Sequence, residues 1–254
     1  MFLQHQIDTT IMRLHEFEPL EGYYLAFSGG KDSIVIKQLA IESGVTFDAH
    51  YNCTTIDPPE LCRFIRTYHK DIKWEMPDVS FLKMMSKRGF PTRLSRWCCD
   101  EYKERGGANR VVMTGVRWAE SAKRSKRRMV EQCYRKKNRT FLHLIIDWSD
   151  EDVWAFIRDR KLPYCELYNY GFKRIGCVFC PMSYYKNRLK EVERYPKITR
   201  NFIKAFEILY QDRLINNPET VSRWTSGEDI FNWWVGEGDL PTKEIDENQV
   251  MLFE

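Results

Sequence analysis

The stretch Tyr23-Tyr24-Leu25-Ala26-Phe27, followed directly by Ser28-Gly29-Gly30-Lys31-Asp32-Ser33, decides the fold of this chain. The five apolar residues predict a buried β-strand, and the two glycines after them predict a tight turn. From residue 34 to residue 42, apolar side chains recur at helical spacing. The backbone amides of the loop should therefore lie at a helix N-terminus, where the helix dipole favours an anion.

The sequence of this loop permits two interpretations. A glycine pair with serines between a strand and a helix can serve only as a tight connection. The hydroxyls of Ser28 and Ser33, the charge of Lys31 and the close approach that Gly29 and Gly30 allow favour a phosphate ligand instead. The spacing is neither that of a Walker A loop nor that of a dinucleotide fingerprint. A different kind of nucleotide loop is therefore required.

Strand and helix signals alternate along the following residues. We predict a helix within residues 1–20, strands over 45–51, 71–75, 110–115 and 141–146, and helices over 58–65, 81–88 and from Ser149 onward. This alternation predicts an α/β fold with a doubly wound, mostly parallel sheet that binds ligands beyond the carboxyl ends of its strands. Helical periodicity over 185–195, 198–216 and 226–235 predicts a C-terminal helical region. We divide the chain into a nucleotide-binding α/β domain, 1–185, and a helical region with a tail, 186–254.

Length and composition limit the class of protein. The chain has 254 residues, 43% of them hydrophobic, which is enough for a sizeable core. It has no apolar run of about 20 residues and no basic-then-apolar start, so we expect a cytoplasmic protein without membrane contact. In such a protein the eight cysteines are expected to be thiols, metal ligands or catalytic groups rather than disulfides.

Four of the cysteines form two close pairs. Cys98 and Cys99 are adjacent, and Cys177 and Cys180 are separated by two residues. Two close pairs far apart in sequence predict four thiolates converging on one centre. An adjacent pair is unusual for zinc, so an iron-sulfur cluster is favoured while zinc stays open. Four unrelated buried thiols are the alternative, and that interpretation fits the isolated cysteines better: Cys53, Cys62, Cys133 and Cys165.

A basic block covers residues 123–139. Its cations surround a single acid, Glu131, and are Lys123, Arg124, Lys126, Arg127, Arg128, Arg135, Lys136, Lys137 and Arg139. A local field of this strength could meet a polyanion such as a nucleic acid. A solvated or mobile surface segment is the alternative, because single-sign blocks are often disordered.

The hexapeptide resembles the pyrophosphate loop, or PP-loop, of the N-type ATP pyrophosphatases, which share an adenine nucleotide alpha-hydrolase-like fold. Within that superfamily the chain resembles the phosphoadenosine phosphosulfate reductase family, close to its iron-sulfur members. Four more segments match in order: 96–103, 115–124, 147–154 and 168–177. The resemblance implies that Cys98, Cys99, Cys177 and Cys180 hold a 4Fe-4S cluster.

The resemblance also implies the residues of a nucleotide site. ATP would be held by Ser28, Gly29, Gly30, Lys31, Asp32, Ser33, Gly115, Arg117, Glu120 and Arg124. Lys31, Asp32 and Arg117 would be catalytic, with Asp32 positioning Mg²⁺ and the Arg117 guanidinium offsetting charge on the phosphates. Glu120 and Arg124 could equally be a surface ion pair, and Lys173 and Arg174 could face either the thiolates or solvent.

One departure from the family directs the prediction of function. Sulfonucleotide reductases attack sulfur with a cysteine in a C-terminal Glu-Cys-Gly-Leu-His segment, and this sequence has no cysteine after Cys180. We therefore expect an adenylating ATP pyrophosphatase that activates an acceptor, such as a nucleic acid, for sulfur transfer in thiolation or DNA phosphorothioation. Its partners would include a sulfur donor such as a cysteine desulfurase and, in a homodimer, a second copy of the chain. A sulfite-producing reductase and a non-catalytic redox-sensing nucleotide module are the alternatives.

Overall fold

The computed structural model describes residues 2–133 and 138–236. A six-stranded sheet with the order β3-β2-β1-β4-β6-β5 forms its centre. The strands are β1 (Tyr23–Ala26), β2 (Phe47–Asn52), β3 (Lys73–Glu75), β4 (Val111–Met113), β5 (Val130–Cys133) and β6 (Arg139–Leu142). All neighbouring strands are parallel except β5, which pairs antiparallel with β6 at one edge. The mostly parallel α/β fold predicted from the sequence is confirmed.

Eight α-helices accompany this sheet within the described ranges. They are α1 (Phe2–Glu16), α2 (Lys31–Ser43), α3 (Pro59–Tyr68), α4 (Phe81–Arg88), α5 (Asp150–Asp159), α6 (Tyr185–Arg194), α7 (Pro196–Asn216) and α8 (Gly227–Val235). Helix α5 begins as predicted, because the Ser149 hydroxyl accepts a hydrogen bond from the Asp152 amide and Asp152 bonds back to the Ser149 amide. The predicted C-terminal helices are also confirmed.

The buried apolar side chains form two clusters. The first joins the sheet to α1, α2, α3 and α5 and includes Leu25, Val35, Phe64 and Trp148. The second joins α4, α7 and α8 to two loop segments and includes Tyr102, Val178, Phe179, Phe202 and Trp234. The Cys-x-x-Cys segment thus packs against helices that follow residue 185. The division of the chain into the domains 1–185 and 186–254 stays a prediction.

The observed elements differ from the sequence predictions at three places. The strand predicted over 141–146 is β6, which ends at Leu142, and a turn follows because the amides of Ile146 and Trp148 bond back to the carbonyls of His143 and Ile145. Strand β5 was missed, because a four-residue edge strand with Glu131 and Gln132 at its centre carries little strand signal. A π-helical turn, Cys99–Lys103, was not predicted either. The predicted tail, 237–254, lies outside the described residues.

None of the helices within 2–133 and 138–236 combines the length and the apolar character that crossing a membrane requires.

Candidate functional site

The loop between β1 and α2 is shaped by its own serines. The Ser33 hydroxyl donates to the Gly30 carbonyl at 2.8 Å and accepts from the Ser28 amide at 3.3 Å. The Ser28 hydroxyl lies 3.2 Å from that of Ser33 and accepts from the Gly30 amide. The two hydroxyls therefore hold the loop in a curved form at the start of α2, at the carboxyl end of β1.

Two glycines allow the elements around this loop to approach closely. Gly29 has φ +72°, and a Cβ there would lie 2.6 Å from Leu61 Cδ1 on α3. Gly115 follows β4, and a Cβ there would lie 2.8 Å from the Cβ of Asp32. The turn after β4 is therefore packed directly onto the first turn of α2, which brings Arg117 within reach of the loop.

Four charged side chains meet at this junction. Arg117 donates through Nε to Asp32 at 2.7 Å and through Nη2 to Asp150 at 2.6 Å. Lys31 Nζ lies 3.2 Å from Asp150 and 3.4 Å from Asp32. Arg117 is only 1% exposed, whereas the Asp150 side chain is 58% exposed. The site thus has two buried cations bridged by two carboxylates, one of which faces solvent.

The pKa values of Asp150 and Arg117 are each shifted in the direction that favours the charged form. Burial opposes charge on both Asp150 and Arg117. The hydrogen bond from Arg117 and the charge of Lys31 nevertheless hold the pKa of Asp150 below its ordinary value. The charge of Asp32 and the hydrogen bond to Asp150 likewise keep the pKa of Arg117 above its ordinary value.

Tyr168 covers the start of α2. Its hydroxyl accepts a hydrogen bond from the Lys31 backbone amide at 2.9 Å. The residue lies in a 3₁₀ turn, Glu166–Tyr170, and its ring meets Trp154 of α5 edge-on at 5.1 Å. Burial raises the pKa of Tyr168, so the hydroxyl stays protonated at neutral pH.

Glu120 and Arg124 lie beside the network rather than in it. A Glu120 carboxylate oxygen accepts from both the Arg117 amide and the Arg124 guanidinium. These contacts fix the 3₁₀ turn Trp118–Glu120, which follows Arg117. Of the sequence-predicted nucleotide residues, Ser28 to Ser33 thus form the loop, Arg117 belongs to the charge network and Glu120 to this adjoining turn. Gly115 lies in the turn after β4, and Arg124 begins a separate 3₁₀ turn, Arg124–Lys126.

Cys98, Cys99, Cys177 and Cys180 line one small cavity together with Lys103. A hydrogen bond between Cys98 and Cys99 raises the pKa of the first thiol and lowers that of the second. The nearby Cys177 raises the pKa of Lys103. The convergence of the two cysteine pairs is therefore observed. Lys173 and Arg174, by contrast, are exposed.

Helix α6 holds the Cys-x-x-Cys segment in place. Phe179 has φ +58°, is fully buried and donates its amide to Glu191 at 2.7 Å. Arg188, also fully buried, donates to the carbonyls of Pro181, Val235 and Gly236. The cysteine segment is therefore tied to both α6 and the end of α8.

Four thiols beside a lysine suit either zinc or an iron-sulfur cluster, because thiolates are ligands for both and a cation offsets the negative charge. Among the residues described here, however, no three or more His, Cys, Asp or Glu side chains are already arranged to hold an ion. The chemistry of the four cysteines fits, and their thiols would have to rearrange on metal binding.

The basic block is only partly exposed. Arg139 is 4% exposed and donates to the carbonyls of Glu104 and Gly106, and Arg124 and Arg127 pair with Glu120 and Glu131. Lys126, Arg127 and Arg128 are on the surface. Arg135, Lys136 and Lys137 lie outside the described residues.

Asp150 and Tyr168 were missed as site residues. In the sequence, the acids after Ser149 indicated a helix start, and the matching segment 147–154 that contains them implied no role for Asp150. A carboxylate there, beyond the last parallel strand, was a usable signal, because ligands of such sheets bind at that edge. For Tyr168 the sequence offered no signal beyond its place in the last matching segment.

A model of the phosphoadenosine phosphosulfate reductase domain matches residues 22–183, which include the loop, the charge network and all four clustered cysteines. The chain belongs to this family. Two uncharacterized proteins of Methanocaldococcus jannaschii are 30% and 32% identical to it over 194 and 197 residues. Each alignment covers 72% of this chain, but only 47% and 39% of the two relatives. The chain therefore matches less than half the length of these relatives.

The remaining comparisons cover fewer residues or rest on structural similarity alone. An adenosine 5'-phosphosulfate reductase of Staphylococcus epidermidis is 37% identical over 68 residues, 27% of this chain and 28% of the reductase. The crystal structure of a phosphoadenylyl-sulfate reductase from Candida auris, a phosphate complex, superposes with TM-score 0.51 and 18% identity over 70% of this chain and 95% of that one. The crystal structure of a Candida glabrata FMN adenylyltransferase with FAD and pyrophosphate superposes with TM-score 0.51 and 18% identity over 69% of this chain and 62% of that one. These two structures show that the family fold is present.

Proposed function

We propose that this member of the phosphoadenosine phosphosulfate reductase family is an ATP pyrophosphatase that adenylates an acceptor for sulfur transfer, releasing pyrophosphate and then AMP. The observation that carries this proposal is the meeting of Lys31, Arg117, Asp32 and Asp150 at the N-terminus of α2. A helix start with two buried cations suits phosphates. Two carboxylates beside them suit the divalent cation that accompanies ATP.

In this proposal the loop amides and Lys31 hold the β and γ phosphates of ATP. The carboxylates of Asp32 and Asp150 would hold Mg²⁺, which supplies charge neutralisation between the phosphates when bound. Arg117 is buried and already bonded to both carboxylates, so it first positions them. To offset charge at the α phosphate as well, its guanidinium exchanges one carboxylate for a phosphate oxygen.

The four clustered cysteines would hold the second functional group. We propose a 4Fe-4S cluster on Cys98, Cys99, Cys177 and Cys180, with zinc as the alternative. A cluster would supply electrons or an iron site for sulfur, whereas zinc would supply only structure. Lys103 in the same cavity offsets the charge of the thiolates.

The acceptor is proposed to be a nucleic acid that meets the surface cations Lys126, Arg127 and Arg128. A separate sulfur-donor protein, such as a cysteine desulfurase, would deliver the sulfur. A cytoplasmic location and a homodimer remain part of the proposal.

A second candidate is reduction of adenylylsulfate or phosphoadenylylsulfate to sulfite. The 68-residue match to an adenosine 5'-phosphosulfate reductase favours it. A third candidate, a redox-sensing nucleotide module, would bind ATP without turnover.

One experiment separates the three candidates. Protein purified without oxygen is analysed for iron, sulfide and zinc, and then incubated with ATP and Mg²⁺ with or without nucleic acid, or with either sulfonucleotide and thioredoxin. Pyrophosphate and AMP support the first candidate, sulfite supports the second, and ATP binding without either product supports the third.

The matched variants for this assay are Lys31→Ala and Lys37→Ala. Both lysines lie on α2 with side chains less than a tenth exposed, but Lys37 pairs with Asp71 away from the loop. We expect Lys31→Ala to lower pyrophosphate release by about 100-fold, because a buried phosphate-binding charge is lost. Lys37→Ala should retain it. Unchanged release from Lys31→Ala would overturn the proposed function.

A further inference from the structure

The first amide of α2 is already occupied by a side chain of this protein. The Tyr168 hydroxyl lies 2.9 Å from the Lys31 nitrogen and accepts its hydrogen bond. A Cβ on Gly30 would lie 3.5 Å from the same hydroxyl, so the tyrosine oxygen sits directly over the loop. An N–H group has one hydrogen, so it cannot donate a full-strength hydrogen bond to a second acceptor while it is bonded to the tyrosine hydroxyl.

We propose that the Tyr168 hydroxyl stands in for a phosphoryl oxygen at the start of α2, and that a nucleotide must displace it in order to bind. This inference rests on the proposed function of the loop as a phosphate site. Tyr168 then competes with the nucleotide for the Lys31 amide and leaves it when the nucleotide binds, rather than contacting the ligand.

The surroundings of Tyr168 allow its side chain to move while its backbone stays. Cys165, just before the turn, and Leu167, within it, are buried, and the Tyr168 amide and carbonyl bond to Cys165 and Gly171. The tyrosine side chain itself is only partly buried. Rotation about its side-chain bonds therefore frees the Lys31 amide without unfolding the turn.

The exchange is favourable because of charge. A phosphate oxygen carries negative charge, and hydrogen bonds to charged acceptors are about twice as strong as those to a neutral hydroxyl. The helix dipole and Lys31 favour the anion further. In the absence of phosphate, the hydroxyl keeps the amide satisfied.

Two variants test the competition by calorimetry with pyrophosphate and with ATP. Tyr168→Phe keeps the ring against Trp154 but removes the competing oxygen, so we expect a Kd about fivefold lower, the equivalent of one ordinary hydrogen bond. Tyr164→Phe is the control, because its hydroxyl bonds Asn169 and its ring also meets Trp154. It should leave the Kd unchanged.

Trp154 reports the displacement directly. Because its ring meets that of Tyr168 edge-on, its fluorescence should change on titration with pyrophosphate and stay constant with adenosine, which has no phosphate. The change should be absent from Trp154→Phe.

The outcomes also separate this inference from the proposed function. Phosphate binding with an unchanged or higher Kd in Tyr168→Phe, or without a Trp154-dependent signal, overturns the inference alone. Absence of pyrophosphate and ATP binding in both wild type and Tyr168→Phe overturns the inference together with the proposed function.

Discussion

Asp32 and Arg117, separated by more than eighty positions in the sequence, form an ion pair of 2.7 Å in which the guanidinium is almost completely buried. The pair joins the first turn of α2 to the turn after β4, and so it fixes the geometry of the candidate phosphate site. Without Arg117, Asp32 keeps the longer contact to Lys31 at 3.4 Å, which compensates its partly buried charge less well than the guanidinium does.

We expect Arg117→Met to lower the free energy of unfolding by about 3–5 kcal/mol, because Asp32 loses its buried partner. Adding Asp32→Asn should cost less than the sum of the single changes, with a coupling of about 1–3 kcal/mol in urea denaturation. The exposed pair of Arg63 and Glu166 is the comparison, and Arg63→Ala should cost no more than about 1 kcal/mol. Additive effects at 32 and 117 would contradict the pairing.

Gly115→Ala should destabilise the protein by about 1–3 kcal/mol, because the added methyl group would press on the Cβ of Asp32 at 2.8 Å. Gly176→Ala is the matched control, since nothing lies within 4 Å of a Cβ there. Thermal unfolding of both variants measures the difference. Equal melting temperatures would show that the turn after β4 is not packed onto α2 as described.

The free energy of unfolding should fall as the pH is lowered from 6.5 to about 4, because of His69. Burial, together with the charge of Lys37, lowers the pKa of this histidine to about 4 from an ordinary value of 6.5. Between these values the unfolded chain binds a proton that the folded protein does not, so acidification favours unfolding. We expect His69→Asn to remove up to about 3 kcal/mol of this loss between pH 6.5 and 4. Urea denaturation at several pH values measures it, and parallel curves for both proteins would refute it.

Nucleic-acid binding, if it uses the basic surface, should depend on Lys126 and Arg128. Replacing both with alanine should reduce the slope of log K against log salt concentration by about 2 for duplex DNA, because about one counterion is released per phosphate contact. The double variant Lys197→Ala and Arg200→Ala removes equally exposed charges from α7 and should leave the slope unchanged. Filter binding across a salt series measures both.

The sequence predicted the parts of the site that depend on local pattern. The β1-loop-α2 unit was predictable because its strand, turn and helix signals are contiguous. The grouping of Lys31, Asp32 and Arg117 was expected from the family resemblance, and the structure places these residues in one network.

The rest depended on tertiary packing. Asp150 and Tyr168 join the site because α5 and the turn after it fold back over α2, which no local spacing reveals. The serine hydroxyls, expected to face a ligand, bond within the loop instead. Strand β5 escaped prediction because it is short, has Glu131 and Gln132 at its centre and pairs only through the tertiary contact with β6.

Glu191 and Arg188 of α6 hold Phe179 and Pro181 in place by hydrogen bonds. The cysteine cavity therefore depends on a C-terminal helix for its shape, whereas the hydroxyls of Ser28 and Ser33 shape the loop between β1 and α2 from within. A lesion in the C-terminal helices would loosen the thiols first and expose them to oxidants, while the loop between β1 and α2 kept its shape. Partial damage would then separate the two sites, with the cysteine cavity lost and the charge network at the start of α2 retained.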